Sequence, residues 1–422
     1  MTARINHRDN CRLCLSKNVH RVVELAPIPL AEKYSTSTEE ACQVEKFPVD
    51  LYLCSACGHV QVLDVIDSDT LWDDYTYHSG QTKGIVDHFN DVATKVLTDY
   101  ATEAGSLVID VGSNDGSLLR QFKDRGYRVM GIDPAREIAR KATESGIETI
   151  ADLLTPESAQ RIIEKAGKAK IITAFNVFAH ADNMNQMAAC IADMLDDSGI
   201  FVFEVQYLVD IIEKFLLGTI FHEHMSHHSL KPMKRFLESH NLEIIDVERV
   251  SIQKGSIIGI AQKKGGARSI KLAVKQLLDL EEQMHLDKPE AIAAFNDKLA
   301  RARSDFDALR KQWDEEGAQV AAFGAARSGP TFTAQFGIGN AIKTIFDDHP
   351  QKVHKFSPGD GIPVRPTSEL YTIKPDYVVI LAWIHAKKII ASHEQYLNEG
   401  GKFVVCCPEV QVIDRSTKAN LL

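Results

Sequence analysis

At 422 residues the chain is too long for one hydrophobic core and should divide into two or three domains. A hydrophobic share of 44 % and a charged share of 25 % are ordinary for a globular protein, and a net charge of -10 speaks against a broad polyanion-binding surface. No apolar run approaches the ~20 residues that span a bilayer, and the opening MTARINHRDNCRLC has no apolar signal segment; a cytoplasmic protein without nucleic-acid or membrane partners is expected.

The first block, residues 1–75, holds two Cys-x-x-Cys knuckles, Cys11/Cys14 and Cys54/Cys57. Each knuckle brings two thiolates to one tetrahedral ion, and four thiolates close the shell against water. The zinc this predicts is structural. Cys42 stands alone in the insertion between the knuckles and is not expected to be a ligand; His59 is expected to be a bystander. No Lys/Arg cluster surrounds the knuckles, so the metal is expected to staple a small lobe.

The second block, residues 76–265, alternates strands and helices. Candidate strands are Leu107–Val111, Arg128–Ile132, Ile171–Phe175, Gly199–Glu204, Leu242–Val250 and Ser256–Gln262. After the first strand, Gly112 and Gly116 punctuate a turn into a helix from Ser117, and the second strand ends in Asp133. Such an order binds a nucleoside: glycines admit the ligand to the backbone, and the acid takes ribose hydroxyls. The glycines are spaced G-x-x-x-G, and Asn114 and Asp115 put polar and negative groups where a pyrophosphate wants neither. A ligand with an ammonium group, such as S-adenosylmethionine (SAM), suits this loop. Asp152, after another predicted strand, is a candidate for the adenine amino group. His180 follows the third strand, at the carboxyl edge of the sheet.

Beyond the fourth strand, TIFHEHMSHHSL crowds His222, Glu223, His224, His227 and His228 together. A zincin site needs His-Glu-x-x-His, and Ser226 occupies the final position, so no metal is expected here. A general base beside a carboxylate fits better.

Residues 266–316 form a charged, helix-periodic connector that Pro289 should split into two helices. The last block, 317–422, begins with a strand at Val320 and continues through Thr344–Phe346, Tyr377–Leu381 and Lys402–Val405, a second small α/β unit. Gly324–Gly329 with Asp347 about 20 residues on also fits a dinucleotide site. The alternative reading is therefore an NAD-dependent oxidoreductase.

Taken in order along the whole chain, CRLC with CSACGHVQ, DYTYHSG, VIDVGSNDGSLL with GIDPA, FNVFAH, TIFHEH, VAAFGAARSG, FSPGDGIPV and KPDYVVILAWIHA resemble the sugar C-3 methyltransferases of deoxysugar biosynthesis. The resemblance implies an N-terminal zinc lobe, a central Rossmann-like SAM domain and a C-terminal Rossmann-like domain that helps hold a nucleotide-linked sugar, in a monomer or small homo-oligomer. It implies methyl transfer to C-3 of a 4-keto-6-deoxysugar after a base removes the C-3 proton. His224 would be the base, Glu223 would position sugar or base, and His222 would donate to the keto oxygen. His180 would be a second base or a proton shuttle. Tyr77, Pro134 and Asn176 would line the SAM site with the glycine loop.

Departures from the family pattern fall where sugar or nucleotide is expected. Phe221 and His227 replace tyrosines, Ser328 replaces a lysine beside Arg327, and Ile384-His385 stands in place of an asparagine-aromatic pair. His227 or His385 is expected to supply in part the lost hydroxyl donor, and a different sugar, nucleotide or acceptor is an open alternative.

Overall fold

The computed structural model describes residues 5–67, 70–71, 79–81, 83–100 and 103–418. Three large sheets organise them. Strands of the central sheet are β1 (Leu107–Val111), β2 (Arg128–Ile132), β3 (Thr149–Ile150), β4 (Ala169–Phe175), β5 (Leu195–Gln206), β6 (Leu242–Val250) and β7 (Ser256–Lys263). Every residue of β1 is buried, as a parallel strand covered on both faces requires. Across the sheet the order is 3-2-1-4-5-7-6, and β7 runs antiparallel to both its neighbours. Strand order reverses between β1 and β4, which opens a crevice outside their carboxyl ends, the ligand position of α/β sheets.

The helix after β1 starts at Ser117, as the glycine punctuation predicts. Its N-cap, Gly116, has φ of 76°, and a Cβ there would come within 2.8 Å of Ile147. Only glycine meets both demands.

The C-terminal unit has β8 (Val320–Phe323), β9 (Ile342–Phe346), β10 (Val364–Arg365), β11 (Tyr377–Ile380), β12 (Lys402–Val405) and β13 (Gln411–Ile413). Their order is 10-9-8-11-12-13, parallel except for β13. The connector is two helices, Leu272–Gln283 and Pro289–Glu316, with Pro289 in the first turn of the second, where its missing N–H costs nothing. Along the longer helix Ile292, Phe295, Leu299, Ala302 and Phe306 recur every three or four residues and are buried. This stripe and its flanks reach all three blocks. Phe295 meets Phe215, Phe306 stacks on Phe336 at 4.4 Å, and Asn296 donates to the Val22 carbonyl at 2.8 Å.

In the N-terminal lobe, Val19–Val23, Leu51–Cys54 and Val60–Val62 form an antiparallel sheet. A fourth strand, Ser226–His227, comes from the histidine segment and pairs His227 with Val60. No helix among the described residues is long and apolar enough to cross a membrane.

Candidate active site

The knuckle sulfurs of Cys11, Cys14, Cys54 and Cys57 all lie within 4.8 Å of one another, with Cys11–Cys57 and Cys14–Cys54 each at 3.6 Å. Sulfurs ~2.3 Å from a tetrahedral zinc stand ~3.8 Å apart, so the site fits zinc without rearrangement. Four thiolates leave no place for a reactive water, and the lobe's contribution is geometric. Cys42 is exposed elsewhere, and the ring of His59 meets the Ser226 hydroxyl at 3.2 Å. No other metal-ligating cluster occurs among the described residues, the histidine segment included.

A cavity of about 1050 Å³ lies over the carboxyl edge of the central sheet and is walled by all three blocks, among them Ile66, Gly112, Asp133, His224, Arg327 and Trp383. Gly112, with φ of 71°, forms its floor; a Cβ there would come within 2.4 Å of the Val177 side chain. Asp133 is buried against it. Its carboxylate accepts from the backbone N–H of Asn114 and of Ala135, both at 2.9 Å, which leaves acceptor capacity for a diol. Burial pushes the Asp133 carboxyl up, against these two N–H groups, and the charge of Asp115 adds to the rise. Pro134 and Asn176 also line the cavity. The glycine floor and the buried diol acceptor fit the nucleoside half of SAM.

One expectation for this loop is corrected. Asp115 does not line the cavity: its carboxylate accepts from the Ser117 hydroxyl at 2.6 Å and from the Gly80 N–H at 2.8 Å, and so ties the turn to the earlier segment Ser79–Gln81. Asp152 is on the cavity wall, and its carboxylate also pairs with Arg161. Asn114 lines the cavity, and its side-chain oxygen accepts from the Ser79 N–H at 3.0 Å. Tyr77 lies outside the described residues.

The histidine segment follows a short 3-10 turn, Leu217–Thr219, and leaves as the added strand of the zinc lobe. This irregular path sends its side chains to different places. His224 reaches the cavity, and its Nδ1 lies 2.6 Å from the Thr219 carbonyl. His180 reaches the same cavity with Nδ1 2.7 Å from the Glu223 carbonyl, and the two rings are 5.0 Å apart. A carbonyl only accepts, so each Nδ1 carries the hydrogen and each Nε2 is the basic nitrogen. Burial lowers His180 to about 4 and holds His224 well below the usual range, with the neighbouring imidazole adding to the effect. Both rings are neutral at pH 7. Phe221 covers His224 at 4.1 Å between centroids, an apolar lid without a hydroxyl.

His222 and His227 turn the other way, which corrects the roles expected of them. His222 is buried against the zinc lobe, its Nε2 3.3 Å from the Phe47 carbonyl. His227 is buried in the added strand beside Val60, so neither can meet a keto oxygen in the cavity. Glu223 sits behind the wall with its carboxylate 3.7 Å from Arg327; burial raises its pKa, and the Arg327 charge opposes this.

From the C-terminal unit Arg327, Ser328 and His385 all line the cavity. The Ser328 hydroxyl donates to the Leu381 carbonyl at 2.8 Å, while His385 is exposed. The Gly324 loop mirrors the central one, with Asp347 accepting from Ala325 and His349 N–H groups at 2.7 Å. A separate hollow beside that loop measures about 10 Å³, space for one water, while Ala326, Arg327 and Ser328 face the shared cavity.

Sequence reasoning missed Glu204, near the end of β5. It is buried at the cavity, with the His88 ring nitrogen at 2.5 Å and the Asn176 amide at 3.1 Å. His88 rises above the ordinary value: burial lowers it most, but the Glu204 hydrogen bond and charge together outweigh that. An acid closing an otherwise apolar strand was the available signal. Lys352 and Glu32 were missed too; they pair at 3.0 Å beside Arg327 and carried no motif.

A nucleoside loop, two neutral imidazoles and a zinc lobe around one cavity define a SAM-dependent methyltransferase. Family models agree block by block: a zinc binding domain matches residues 11–72, a methyltransferase domain residues 87–247, and a C-methyltransferase C-terminal domain residues 251–408. The C-methyltransferase NovU of Streptomyces niveus is 31% identical over 406 residues, 96% of this chain and 97% of that protein. The chain belongs to the zinc-containing, SAM-dependent sugar C-methyltransferase family. Among solved structures, magnesium protoporphyrin IX methyltransferase from Synechocystis PCC 6803 with bound SAM covers 46% of this chain and 89% of its own, at 15% identity and a TM-score of 0.34. The CcbJ methyltransferase of Streptomyces caelestis covers 46% and 96%, at 10% identity and a TM-score of 0.34.

Proposed function

We propose that the protein methylates a carbon next to the ketone of a nucleotide-linked 4-keto-6-deoxysugar, C-3 being the expected position. The observation that carries this reading is the pair His224 and His180, whose basic nitrogens belong to the same cavity as the Gly112–Asp133 nucleoside loop. His224 Nε2 takes the proton from the carbon, and the C–H electron pair moves into an enolate whose negative charge lies on the former keto oxygen. SAM, when bound, would supply a methyl group on a cationic sulfur to this carbon, with S-adenosylhomocysteine as the leaving group and the ketone re-formed. The proton stays on the imidazole, and the neighbouring His180 can pass it towards solvent.

An imidazole removes such a proton only where the developing oxyanion meets donors. With Phe221 at the expected donor position and His227 turned away, His385 and Arg327 are the donors we assign to the oxygen. Phe221 instead keeps His224 dry and neutral. Lys352, which pairs with Glu32 on the C-terminal wall, is the cation we assign to the diphosphate.

The test is incubation with SAM and a panel of dTDP-, GDP- and UDP-linked 4-keto-6-deoxyhexoses, followed by mass spectrometry. Gain of one methylene by a panel member is the expected result. Failure of every sugar, together with no calorimetric heat from SAM or S-adenosylhomocysteine, would overturn the reading.

A further inference from the structure

Arg12 stands between Cys11 and Cys14, yet its guanidinium is buried and bonds to groups outside that knuckle. Its Nη1 donates to the Met225 carbonyl at 2.9 Å and to Gln61 Oε1 at 3.2 Å, and its Nη2 donates to the Val62 carbonyl at 2.9 Å. Its Nε donates to Asp182 at 3.2 Å, and the same carboxylate oxygen accepts from Arg8 at 2.8 Å. Met225 is the residue after His224, and Asp182 comes two residues after His180. One rigid, planar group therefore touches both segments that carry the cavity's imidazoles.

Other bonds close the same junction. The Met225 carbonyl also accepts from the Val62 N–H at 2.9 Å, and the Asn185 amide donates to the Arg12 carbonyl at 3.0 Å. A lobe that only stapled its own fold would not need an arginine taken fully out of water, where each donor must find a partner. The chemistry explains the expense. Two rings from segments about 40 residues apart in sequence must keep fixed spacing, and a misplacement of ~1 Å can cost ~100-fold in rate.

We propose that Arg12 is a positioning residue: from the zinc lobe, it sets the mutual placement of His224 and His180. This rests on the reading of those histidines as the proton-transfer pair. Lysine cannot replace it, because one ammonium group cannot serve acceptors on both segments in the geometry of the fork.

The experiment uses the full-length, zinc-loaded protein and compares Arg12→Lys, Asp182→Asn and His224→Asn with wild type. Zinc content, thermal melting and SAM calorimetry establish that each variant is folded and binds the donor. Proton removal is read without SAM, as solvent deuterium entering a dTDP-linked 4-keto-6-deoxyhexose. Long-range 1H–15N spectra of 15N-histidine-labelled protein read the Nδ1–H tautomers of His180 and His224. For Arg12→Lys we expect one zinc per chain, SAM affinity within twofold, at least tenfold slower exchange, and loss of the single-tautomer signals. Asp182→Asn should slow exchange a few-fold through the His180 side. Arg12→Lys with wild-type exchange and unchanged histidine signals would overturn the proposal. If that variant does not fold, the same outcome in Asp182→Asn, whose side chain is partly exposed, does so. Full exchange in His224→Asn sinks the base assignment instead, and Arg12 is then judged on the histidine signals alone.

Discussion

Acidification from pH 7.5 to 5.5 should loosen the junction of the zinc lobe and the central domain. Burial holds His180, His222 and His227 at about 4 and His228 at about 3. Unfolded, each titrates near 6.5, so between these values the unfolded chain binds more protons and stability falls as pH falls. Each histidine then costs ~1.3 kcal/mol over this span, or ~5 kcal/mol for four acting independently. Asp110 works in the opposite direction. Burial raises its carboxyl to about 7, against the Thr173 hydroxyl bond, so the folded state gains a proton as pH falls and recovers ~2 kcal/mol. From these five groups the net loss is ~3 kcal/mol, a drop of roughly 3–4 °C in the melting temperature of a 422-residue chain unfolding as one unit. Scanning calorimetry of the zinc-loaded protein at half-unit steps of pH measures it. A melting temperature that does not fall across the range, together with 1H–15N spectra showing these imidazoles protonated at pH 7.5, would refute the two neutral bases.

Three further expectations concern the site. Gly112→Ala forces a Cβ into Val177 at a positive φ; the strain alone is ~1–2 kcal/mol, and calorimetry should show SAM affinity weakened at least tenfold. Unchanged affinity would remove the glycine floor from the nucleoside site. Stripping zinc with a chelator should free the knuckles and the added strand Ser226–His227, seen as increased amide exchange at Val60–Val62 and Met225 with protection in β1 retained. His385→Phe should slow acceptor deuterium exchange without changing SAM affinity if His385 donates to the keto oxygen, and a wild-type rate would leave Arg327 as the donor.

The Glu204–His88 contact illustrates how unevenly the chain could be read. β4 and β5 were recognisable as apolar runs, but His88 is 116 residues from Glu204, and nothing local announces their pairing. The Gly112 loop and its acid were legible because a strand, a tight turn and a helix must follow one another at short range. Asp115 was misread for a related reason: besides the local Ser117 hydroxyl, its carboxylate is taken by the Gly80 N–H, 35 residues earlier.

Local chemistry therefore determined a great deal from sequence alone. Paired knuckles specify zinc, buried apolar runs specify a parallel sheet, and the glycine-to-acid spacing specifies a nucleoside floor. Which histidines face the cavity was decided only by the tertiary structure. The segment from Phe221 to His228 follows neither the 3.6-residue nor the two-residue period, because its course is set by pairing with strand Val60–Val62, more than 160 residues earlier. That pairing turns His222 and His227 towards the zinc lobe and leaves His224 in the cavity beside His180.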